Sequence, residues 1–279
     1  MPGTLFLVPT PIGNLGDISD RARRTLEMAD FIAAEDTRVT LKLLNHLGLK
    51  KPLVSYYEHN RADSGTRILA RLLDGETCAL VSDAGSPAIS DPGEDLVAIC
   101  AANGISISAI PGPCAAITAL SISGLPTGRF TFEGFLSTNK KQRREHLAAL
   151  LNEHRTMIFY EAPHKLLPTL QDMAAAFGAG RRIALCRELT KLHEEVLRMT
   201  ISEAAAYYEQ QAPRGEYVLI LEGAPTESVC MPSLEDGLTR ANELIGQGFS
   251  RKDAVKQAAN ELNLSKNALY DALLRQEQH

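Results

Sequence analysis

V-S-D-A-G-S-P-A-I-S-D-P-G, the stretch from Val81 to Gly93, ends an apolar run abruptly in small residues and prolines. Farther along, the apolar segment from Ile105 to Ile110 breaks in the same way, into P-G-P-C-A-A. Each pattern predicts a buried strand that ends in a tight loop and then opens a helix. Small residues let a ligand approach the backbone, and open α/β sheets bind ligands at the carboxyl ends of their strands. The two loops therefore indicate a cofactor cleft.

The segments before and after this stretch alternate between strand and helix patterns, which predicts an α/β domain with a largely parallel sheet. The predicted strands are residues 5–8, 31–34, 78–81 and 105–110, and the predicted helices begin near Asp20 or span residues 39–47, 61–73 and 94–102. The turn-rich segment 124–128 indicates a domain boundary.

Beyond that boundary, strand and helix patterns predict a second α/β domain with mixed strands. Its predicted strands are residues 130–135, 156–160, 182–186, 194–200 and 216–221, and its predicted helices are residues 142–152, 164–176 and 202–210. From Leu234 onward there is no strand pattern, and three short helices at 234–245, 251–262 and 266–274 resemble a helix-turn-helix module. We therefore predict domains at residues 1–124, 125–225 and 232–279.

Composition limits the class of protein. The chain has 279 residues, 44% of them hydrophobic, and a net charge of −5, which argues against non-specific coating of nucleic acid and still allows a local basic patch. Its five cysteines are scattered through apolar segments, which favours free thiols in a reducing compartment. Without a signal-peptide pattern or an apolar run of membrane-spanning length, we expect a cytoplasmic protein with no membrane contact.

The predicted cleft lacks the usual phosphate-binding motifs. The sequence contains neither G-x-G-x-x-G nor G-x-x-x-x-G-K-[ST], so a pyrophosphate cradle is not indicated. A site built from backbone and small side chains suits a nucleoside ligand without a pyrophosphate, of which S-adenosylmethionine is an example. We expect no metal, because the sequence has no C-x-x-C or H-E-x-x-H and its histidines do not cluster.

Three polar clusters are open to two interpretations. Glu35-Asp36-Thr37-Arg38 at a strand end is either a helix cap with a surface ion pair or a group that positions substrate and accepts a proton. The polar run from Arg187 to Glu195 is either a solvated loop or part of the cleft. The basic cluster Lys140, Lys141, Arg143 and Arg144 is either a solvated helix end or an RNA-binding surface that contacts phosphates.

Seven segments, in chain order, resemble the tetrapyrrole methylase superfamily, whose members use S-adenosylmethionine. They are L-V-P-T-P-I-G-N-L-G-D-I-S, A-E-D-T-R, L-V-S-D-A-G-S-P-A-I-S-D-P-G, I-P-G-P-C-A-A, F-E-G-F-L, Y-E-A-P-H-K and R-E-L-T-K-L-H-E-E. Members that act on tetrapyrroles tend to carry G-D-P where this chain has Gly85-Ser86-Pro87. That departure, with A-E-D-T-R and the helical tail, favours the branch of the family that methylates the ribose of small-subunit ribosomal RNA.

The resemblance implies a fold of two α/β domains with the cofactor, S-adenosyl-L-methionine, in the cleft between them, and a homodimer. The implied cofactor contacts are Pro11, Gly85, Ser86, Ala88, Ile89, Cys114, Ala115, Glu161, Leu185 and Gly215. The implied product is a 2′-O-methylated cytidine in the decoding region of 16S rRNA, within the small ribosomal subunit.

For the chemistry we expect Glu35 or Asp36 to be the base, with Arg38 and Lys191 orienting phosphate or ribose. Two alternatives remain open from the sequence. The chain methylates a tetrapyrrole or another small molecule, or it is a non-catalytic RNA-binding assembly module.

Overall fold

We describe the protein from a computed structural model, which covers residues 1–225, 233–262 and 264–276. Met1–Ala224 forms one compact unit that contains two five-stranded sheets, and Pro225–His279 forms a second, helical unit. The prediction of two α/β halves followed by a helical tail is confirmed at the level of these elements.

The first sheet is parallel throughout, with strand order β3-β2-β4-β1-β5. Its elements are β1 Thr4–Leu7, α1 Asp20–Met28, β2 Phe31–Ala34, α2 Thr37–Leu47, β3 Leu53–Ser55, α3 Arg61–Leu73, β4 Cys78–Val81, α4 Glu94–Ala102, β5 Ser106–Ala109 and α5 Ala115–Ile122. Because the strands are parallel, their carboxyl ends lie at one edge, and the connecting helices begin there.

Helices α1 and α2 pack on one face of this sheet, and helices α3 and α4 pack on the other. Leu26 of α1 and Leu44 of α2 share a core with β2 and β4, whereas Leu72 of α3 and Leu96 of α4 belong to the core beneath the opposite face. The chain moves in one direction along the sheet from β1 to β3 and in the other from β3 to β5, so right-handed crossovers produce this division.

The second sheet is mixed, as predicted, with strand order β6-β7-β10-β8-β9 and β6–β7 as its parallel pair. Its elements are β6 Phe130–Phe135, α6 Lys140–Ala149, β7 Thr156–Glu161, α7 Pro163–Phe177, β8 Arg182–Arg187, β9 Glu195–Thr200, α8 Ile201–Gln210 and β10 Tyr217–Leu221. Helices α6 to α8 cover one face, and α5, which follows the first sheet, packs on the other through Ala119 and Leu120. Helix α5 thus connects the two sheets, because it follows the last strand of the first sheet and packs on the second.

The helical unit contains α9 Leu234–Gly246, α10 Arg251–Glu261 and α11 Lys266–Gln276. Its core is apolar and includes Leu244, Val255 and Leu269, all almost fully buried. In the described part of the chain, no helix has the length and apolarity needed to cross a membrane.

The sequence missed one strand, β3. Only three residues long and preceded by Lys50-Lys51-Pro52, it gives no apolar run of its own and is defined by pairing with β2. The predicted domain boundary at residue 124 stays a prediction. The predicted boundary at residue 232 lies outside the described residues, and so does Cys230. The four described cysteines are free.

Candidate active site

Three loops meet at the carboxyl edge of the first sheet, where strands β4, β1 and β5 lie side by side. The backbones of Thr10 and Gly85 exchange two hydrogen bonds, each 2.9 Å long, and the Thr10 hydroxyl donates to the Ser82 carbonyl at 3.1 Å. The Ser86 hydroxyl in turn donates to the Pro113 carbonyl at 3.1 Å. The loop after β4 is thus tied to the loops on both sides and forms a rigid floor.

Gly85 is required at the centre of this floor because of its backbone conformation. Its φ of +85° lies in the left-handed region that favours glycine. A Cβ at this position would make only ordinary contacts, 3.4 Å from Ile12 Cγ2 and 3.7 Å from the Pro113 carbonyl oxygen, so the backbone conformation and not the available space requires glycine. The floor therefore tolerates no side chain here without strain.

Backbone strain is concentrated around the cleft above this floor. In the described part of the chain, the non-glycine residues with positive φ are Ala88 (67°), Ser90 (62°), Glu188 (51°) and Thr190 (65°). Ala88 and Ser90 follow β4, and Glu188 and Thr190 follow β8. Such conformations cost of order 1–3 kcal/mol each and cluster at functional sites. Their location in two facing loops supports a site between the sheets.

The cleft has a volume of about 240 Å³ and is walled by both sheets. The first sheet contributes Ile12, Glu35, Asp83, Ala84, Gly85, Ser86, Ile89, Ser90, Asp91, Cys114 and Ala115, and the second contributes Phe135, Tyr160, Glu161, Cys186, Glu188, Leu189, Lys191, Glu216, Tyr217 and Val218. The first group contains most of the small residues and the second contains the aromatic rings and the lysine, whereas among these described residues each group contributes three carboxylates.

Glu35 stands in an acidic, partly buried corner with Asp83 and Asp91. Burial is the largest cause that raises the pKa of each of these carboxyls, and the charges of Asp91 and Asp83 raise the pKa of Glu35 further. A carboxylate with a raised pKa accepts a proton more readily than an ordinary glutamate. Glu35 therefore has the environment of a general base.

Asp36 and Arg38 are not suited to accept the proton. The Asp36 carboxylate caps α2 by accepting from the Arg38 backbone N–H at 2.8 Å, and the Arg38 Nη2 lies 2.6 Å from Asp36 Oδ2. The hydrogen bonds from Arg38 lower the pKa of Asp36 to about 2, so this carboxylate is a weak base. Neither residue lines the cleft.

Lys191 lines the cleft from the strained loop after β8. Its Nζ lies 3.0 Å from Glu188 Oε1, and a Cβ on Gly13 would meet its side chain at 2.5 Å. Glycine at 13 thus makes room for the lysine beside the loop after β1. Among the described lining residues Lys191 is the basic one, facing six carboxylates.

Two side chains of the second sheet hold the cleft's far wall in place. The Tyr160 hydroxyl accepts from the Ala116 N–H at 3.2 Å, and burial raises the pKa of this phenol to about 12. Glu161 is 2% exposed, and its carboxylate accepts from the Ala162 N–H at 2.9 Å and the Thr169 hydroxyl at 2.6 Å. The tyrosine links β7 to the beginning of α5 and so fixes the spacing of the two walls.

Six of the ten residues expected to contact the cofactor line the cleft: Gly85, Ser86, Ile89, Cys114, Ala115 and Glu161. The other four do not line it themselves. Leu185 is buried in the core under the second sheet, Gly215 lies against the Glu188 side chain, Pro11 lies between Thr10 and Ile12, and Ala88 borders a neighbouring cavity. The assignment of contacts stays a prediction.

The basic cluster on α6 is largely neutralised by its own neighbours. Arg143 is buried, with its Nη2 2.6 Å from Asp172 Oδ2, and Arg144 pairs with the other oxygen of Asp172 at 2.8 Å. Lys141 lies 3.8 Å from Glu145. Arg143 therefore has a structural contact rather than an exposed face, whereas Lys140, Lys141 and Arg144 remain exposed.

Sequence reasoning did not single out several lining residues. Asp83 and Asp91 stand within the quoted stretch after β4, but carboxylates in a turn-rich loop are typical of solvated caps. Phe135 lies in the quoted segment F-E-G-F-L, but its apolar side chain in a predicted strand gives no sign of a role in the cleft. No group of three or more possible metal ligands occurs among the residues that the structure describes.

Comparisons with known proteins agree with this architecture. The sequence profile of the family described as Tetrapyrrole (Corrin/Porphyrin) Methylases matches residues 4–205. A protein of Synechocystis sp. named Ribosomal RNA small subunit methyltransferase I is 47% identical, covering 99% of each chain. Proteins of that name from Halalkalibacterium halodurans and Escherichia coli O157:H7 are 49% and 45% identical, covering 96% and 99% of this chain and 94% and 96% of theirs.

Solved structures share the fold at lower identity. The methyltransferase CobJ superposes with a TM-score of 0.60 at 19% identity, covering 81% of this chain and 97% of its own. A uroporphyrin-III C-methyl transferase from Thermus thermophilus, complexed with S-adenyl homocysteine, gives a TM-score of 0.53 at 17% identity, covering 79% and 97%.

Proposed function

The chain belongs to the tetrapyrrole methylase family, and on that premise we propose that it methylates RNA of the small ribosomal subunit with S-adenosylmethionine as methyl donor. The acceptor is the 2′-oxygen of a cytidine ribose in the decoding region of 16S rRNA. The observation that carries the proposal is Glu35, a partly buried carboxylate with a raised pKa, in a cleft floored by small-residue loops.

The lining of the cleft fits the donor. Its small residues and the left-handed Gly85 leave the backbone accessible, and its carboxylates suit a ligand that carries a sulfonium and an ammonium group. Gly85, Ser86, Cys114 and Ala115 would hold the donor along the floor. When bound, S-adenosylmethionine supplies an electrophilic methyl group.

The protein's own residues prepare the acceptor. A ribose 2′-hydroxyl is a poor nucleophile while protonated, so a nearby base that removes its proton raises the rate. Glu35 takes that proton, and Asp91 and Asp83 keep its pKa raised. Lys191 orients a phosphate or the ribose from the opposite wall, where Glu188 holds the ammonium group in place. Most of the remaining rate advantage comes from fixing the acceptor oxygen in line with the methyl group.

Asp36 and Arg38 have a supporting role in this proposal. The Asp36 backbone N–H donates to Asp83 Oδ1 at 3.1 Å, which connects the helix cap of α2 to the acidic corner. Asp36 and Arg38 therefore position Asp83 rather than transfer the proton.

Two further features belong to the proposal. The enzyme acts in the cytoplasm, where ribosomal subunits are assembled, and it acts as a homodimer, as the family resemblance implies. Sedimentation of the purified protein tests the dimer. The alternative of a tetrapyrrole substrate is not favoured, because two uroporphyrin-III C-methyltransferases of known structure are 21% and 15% identical, against 42–49% for ribosomal RNA methyltransferases.

The experiment is transfer of labelled methyl groups. Purified protein is incubated with methyl-labelled S-adenosylmethionine and either free small-subunit rRNA or small subunits, and the RNA is then digested to nucleosides. We expect the label in 2′-O-methylcytidine. Label confined to a base, or to a small-molecule fraction, contradicts the proposal.

A further inference from the structure

Phe135 is a large apolar side chain that the cleft leaves open to solvent. It lines the cleft from the end of β6 and is 56% exposed. Single exposed apolar residues are common on protein surfaces, so exposure alone does not indicate a function. The way in which the backbone presents this ring is more informative.

A β-bulge turns Phe135 toward the cleft. In a regular strand, residues 132 and 135 would point to opposite faces. The register of β6 against β7 shifts between Phe132 and Gly134, and Gly134 has a φ of +62°. As a result both phenylalanine rings contact Tyr160 edge-on, with centroids 5.1 and 5.4 Å away. Bulges next to active sites commonly redirect a side chain in this way.

The bulge also lies against the loop after β4. A Cβ on Gly134 would be 3.2 Å from the Ser90 hydroxyl, and Ser90 itself has a strained φ of 62°. The aromatic ring is therefore held by Tyr160, and the backbone next to it is held by the close approach of Gly134 to Ser90. This rigidity favours recognition of a flat partner, since little conformational freedom is lost on binding.

We propose that Phe135 binds the acceptor nucleotide by stacking on its nucleobase, so that the attached ribose lies beside Glu35 and Lys191. The inference rests on the function proposed above, because it requires an RNA substrate. Sequence-specific RNA recognition commonly stacks unpaired bases on aromatic side chains. An acceptor inside the cleft must have its base turned out of the RNA stack, and an exposed ring at the cleft wall replaces the lost stacking partner.

The first test compares substitutions of Phe135. Because base–aromatic stacking changes affinity by roughly 10- to 100-fold, F135A should lower kcat/KM for RNA by about that factor, mainly through KM. F135L keeps apolar volume without an aromatic face and should resemble F135A, whereas F135Y should resemble the wild type. Affinity for S-adenosylmethionine, measured by calorimetry, should not change in any of them.

Two results overturn the inference while leaving the proposed function intact. One is wild-type kcat/KM for F135L with RNA that the wild type methylates. The other is a parallel loss of S-adenosylmethionine binding in F135A, which assigns the ring to the donor. Failure of the wild type itself to methylate RNA contradicts the proposed function instead.

The second test uses fluorescence. The chain has no tryptophan, so F135W introduces a single indole at the proposed contact. A short single-stranded oligoribonucleotide with one cytidine should quench this fluorescence, and the same oligonucleotide with that base removed should quench it far less. Equal quenching by both, or full quenching by S-adenosylhomocysteine alone, overturns the inference.

A second, independent observation concerns exposed cations on helices α1 and α2. Arg21, Arg23 and Arg24 lie on the outer side of α1, and Arg38 and Lys42 lie on the outer side of α2. Both helices pack on the same face of the first sheet and begin at the edge that holds the cleft. The first turns of both helices, which carry Arg21, Arg23 and Arg38, therefore lie at the sheet edge that also holds the cleft.

These cations differ from those of α6 in having few partners. Within the described residues, the side chains of Arg21, Arg23, Arg24 and Lys42 make no hydrogen bond or ion pair, and Arg38 pairs with Asp36. Helix α2 contains no acidic residue, whereas α1 contains Asp20 and Glu27. Unpaired exposed cations near a cleft are well suited to bind phosphates.

We infer that this α1–α2 surface, defined by these five cations, binds the phosphates that flank the acceptor nucleotide. The inference also rests on the proposed function. Phosphate contacts of this kind set affinity and orientation without reading the sequence. They compensate locally for the negative net charge of the chain.

The test measures how RNA binding depends on salt. In the variant R21Q/R23Q/R24Q/K42Q, the slope of log K against log salt concentration should fall by up to about 3, since each lost contact to single-stranded RNA contributes about 0.7. Glutamine preserves helix propensity, and S-adenosylmethionine binding should be unchanged. The matched variant K140Q/K141Q/R144Q, on α6, should lose less. An unchanged slope and affinity in the α1–α2 variant overturns the inference, provided that the wild type binds the RNA.

Discussion

The two walls of the cleft are built in different ways. The wall from the first sheet is made by consecutive small residues at the ends of parallel strands, and its loops are tied by backbone hydrogen bonds such as those of Thr10 and Gly85. The wall from the second sheet is made by side chains that are far apart in the sequence, such as Phe135 and Lys191. We propose that the two walls have different roles: the first wall holds the donor and the base, and the second wall orients the acceptor.

The largest expected effect is on the base, at the first wall. In the proposed mechanism Glu35 accepts the proton, so Glu35→Gln should lower single-turnover methylation by about 100- to 10,000-fold with unchanged donor affinity. Asp36→Asn is the matched control, since asparagine also caps helices, and it should retain most activity. Full activity in Glu35→Gln, or inactivity in Asp36→Asn alone, reverses the assignment.

The next effect concerns the floor. Ser86→Phe places a ring where the donor is proposed to lie, so its affinity for S-adenosylmethionine in calorimetry should fall by about 100-fold or more. Ser86→Ala removes only the hydrogen bond to Pro113, and a change of several-fold is expected. Wild-type donor binding by Ser86→Phe is incompatible with a donor on the first wall.

A smaller effect is expected at the second wall. Lys191→Gln should raise the KM for RNA by about 10-fold, with little effect on donor affinity, because a charged hydrogen bond to the acceptor is lost. His193→Gln, exposed on the same loop, is the control and should behave as the wild type. If Lys191→Gln instead weakens donor binding, the proposal that the second wall orients the acceptor and not the donor is contradicted.

The smallest effect is a change in pH dependence. The pKa of Glu35 is raised above 4.5, so its base form is lost as pH falls through that higher value, and activity should fall with it. Asp91→Asn removes a charge that raises this pKa, and the acidic limb of kcat should move to lower pH. An acidic limb that stays in place or moves to higher pH contradicts this coupling.

The same variant should change stability in a definite direction. The pKa of Asp91 is raised in the folded state, so its carboxylate destabilises the fold at neutral pH, and the penalty disappears as pH falls through that pKa. Asp91→Asn should therefore raise Tm at neutral pH and have less effect in acid. A lower Tm at neutral pH would show that Asp91 stabilises the fold instead.

The contrast between the walls also explains what the sequence could predict. The first wall could be predicted because each of its loops is a continuous stretch of sequence. Parallel strands then bring the loops after β1, β4 and β5 to one edge of the sheet. The family followed from segments in both halves of the chain, and with the α/β fold it is confirmed by the profile match and the relatives.

The sequence singled out Glu161 and Lys191 of the second wall, but the rest of this wall depends on strand pairing that the sequence does not encode locally. Tyr217 begins β10, yet it lies opposite Glu161 and Arg187 at the ends of β7 and β8, because these strands pair antiparallel. Phe135 reaches the cleft only through the bulge at Gly134. Likewise, the sequence leaves the basic run on α6 open to two interpretations, because it does not show that Asp172 of α7 lies between Arg143 and Arg144.

A crystal structure with S-adenosylhomocysteine tests the division between the walls most directly. We predict that the ligand lies along Gly85, Ser86, Cys114 and Ala115, with its sulfur facing the Glu35 carboxylate and the space beside Phe135 left open for the acceptor. A ligand bound against the second wall, with the loops after β4 and β5 closed to it, would contradict this account.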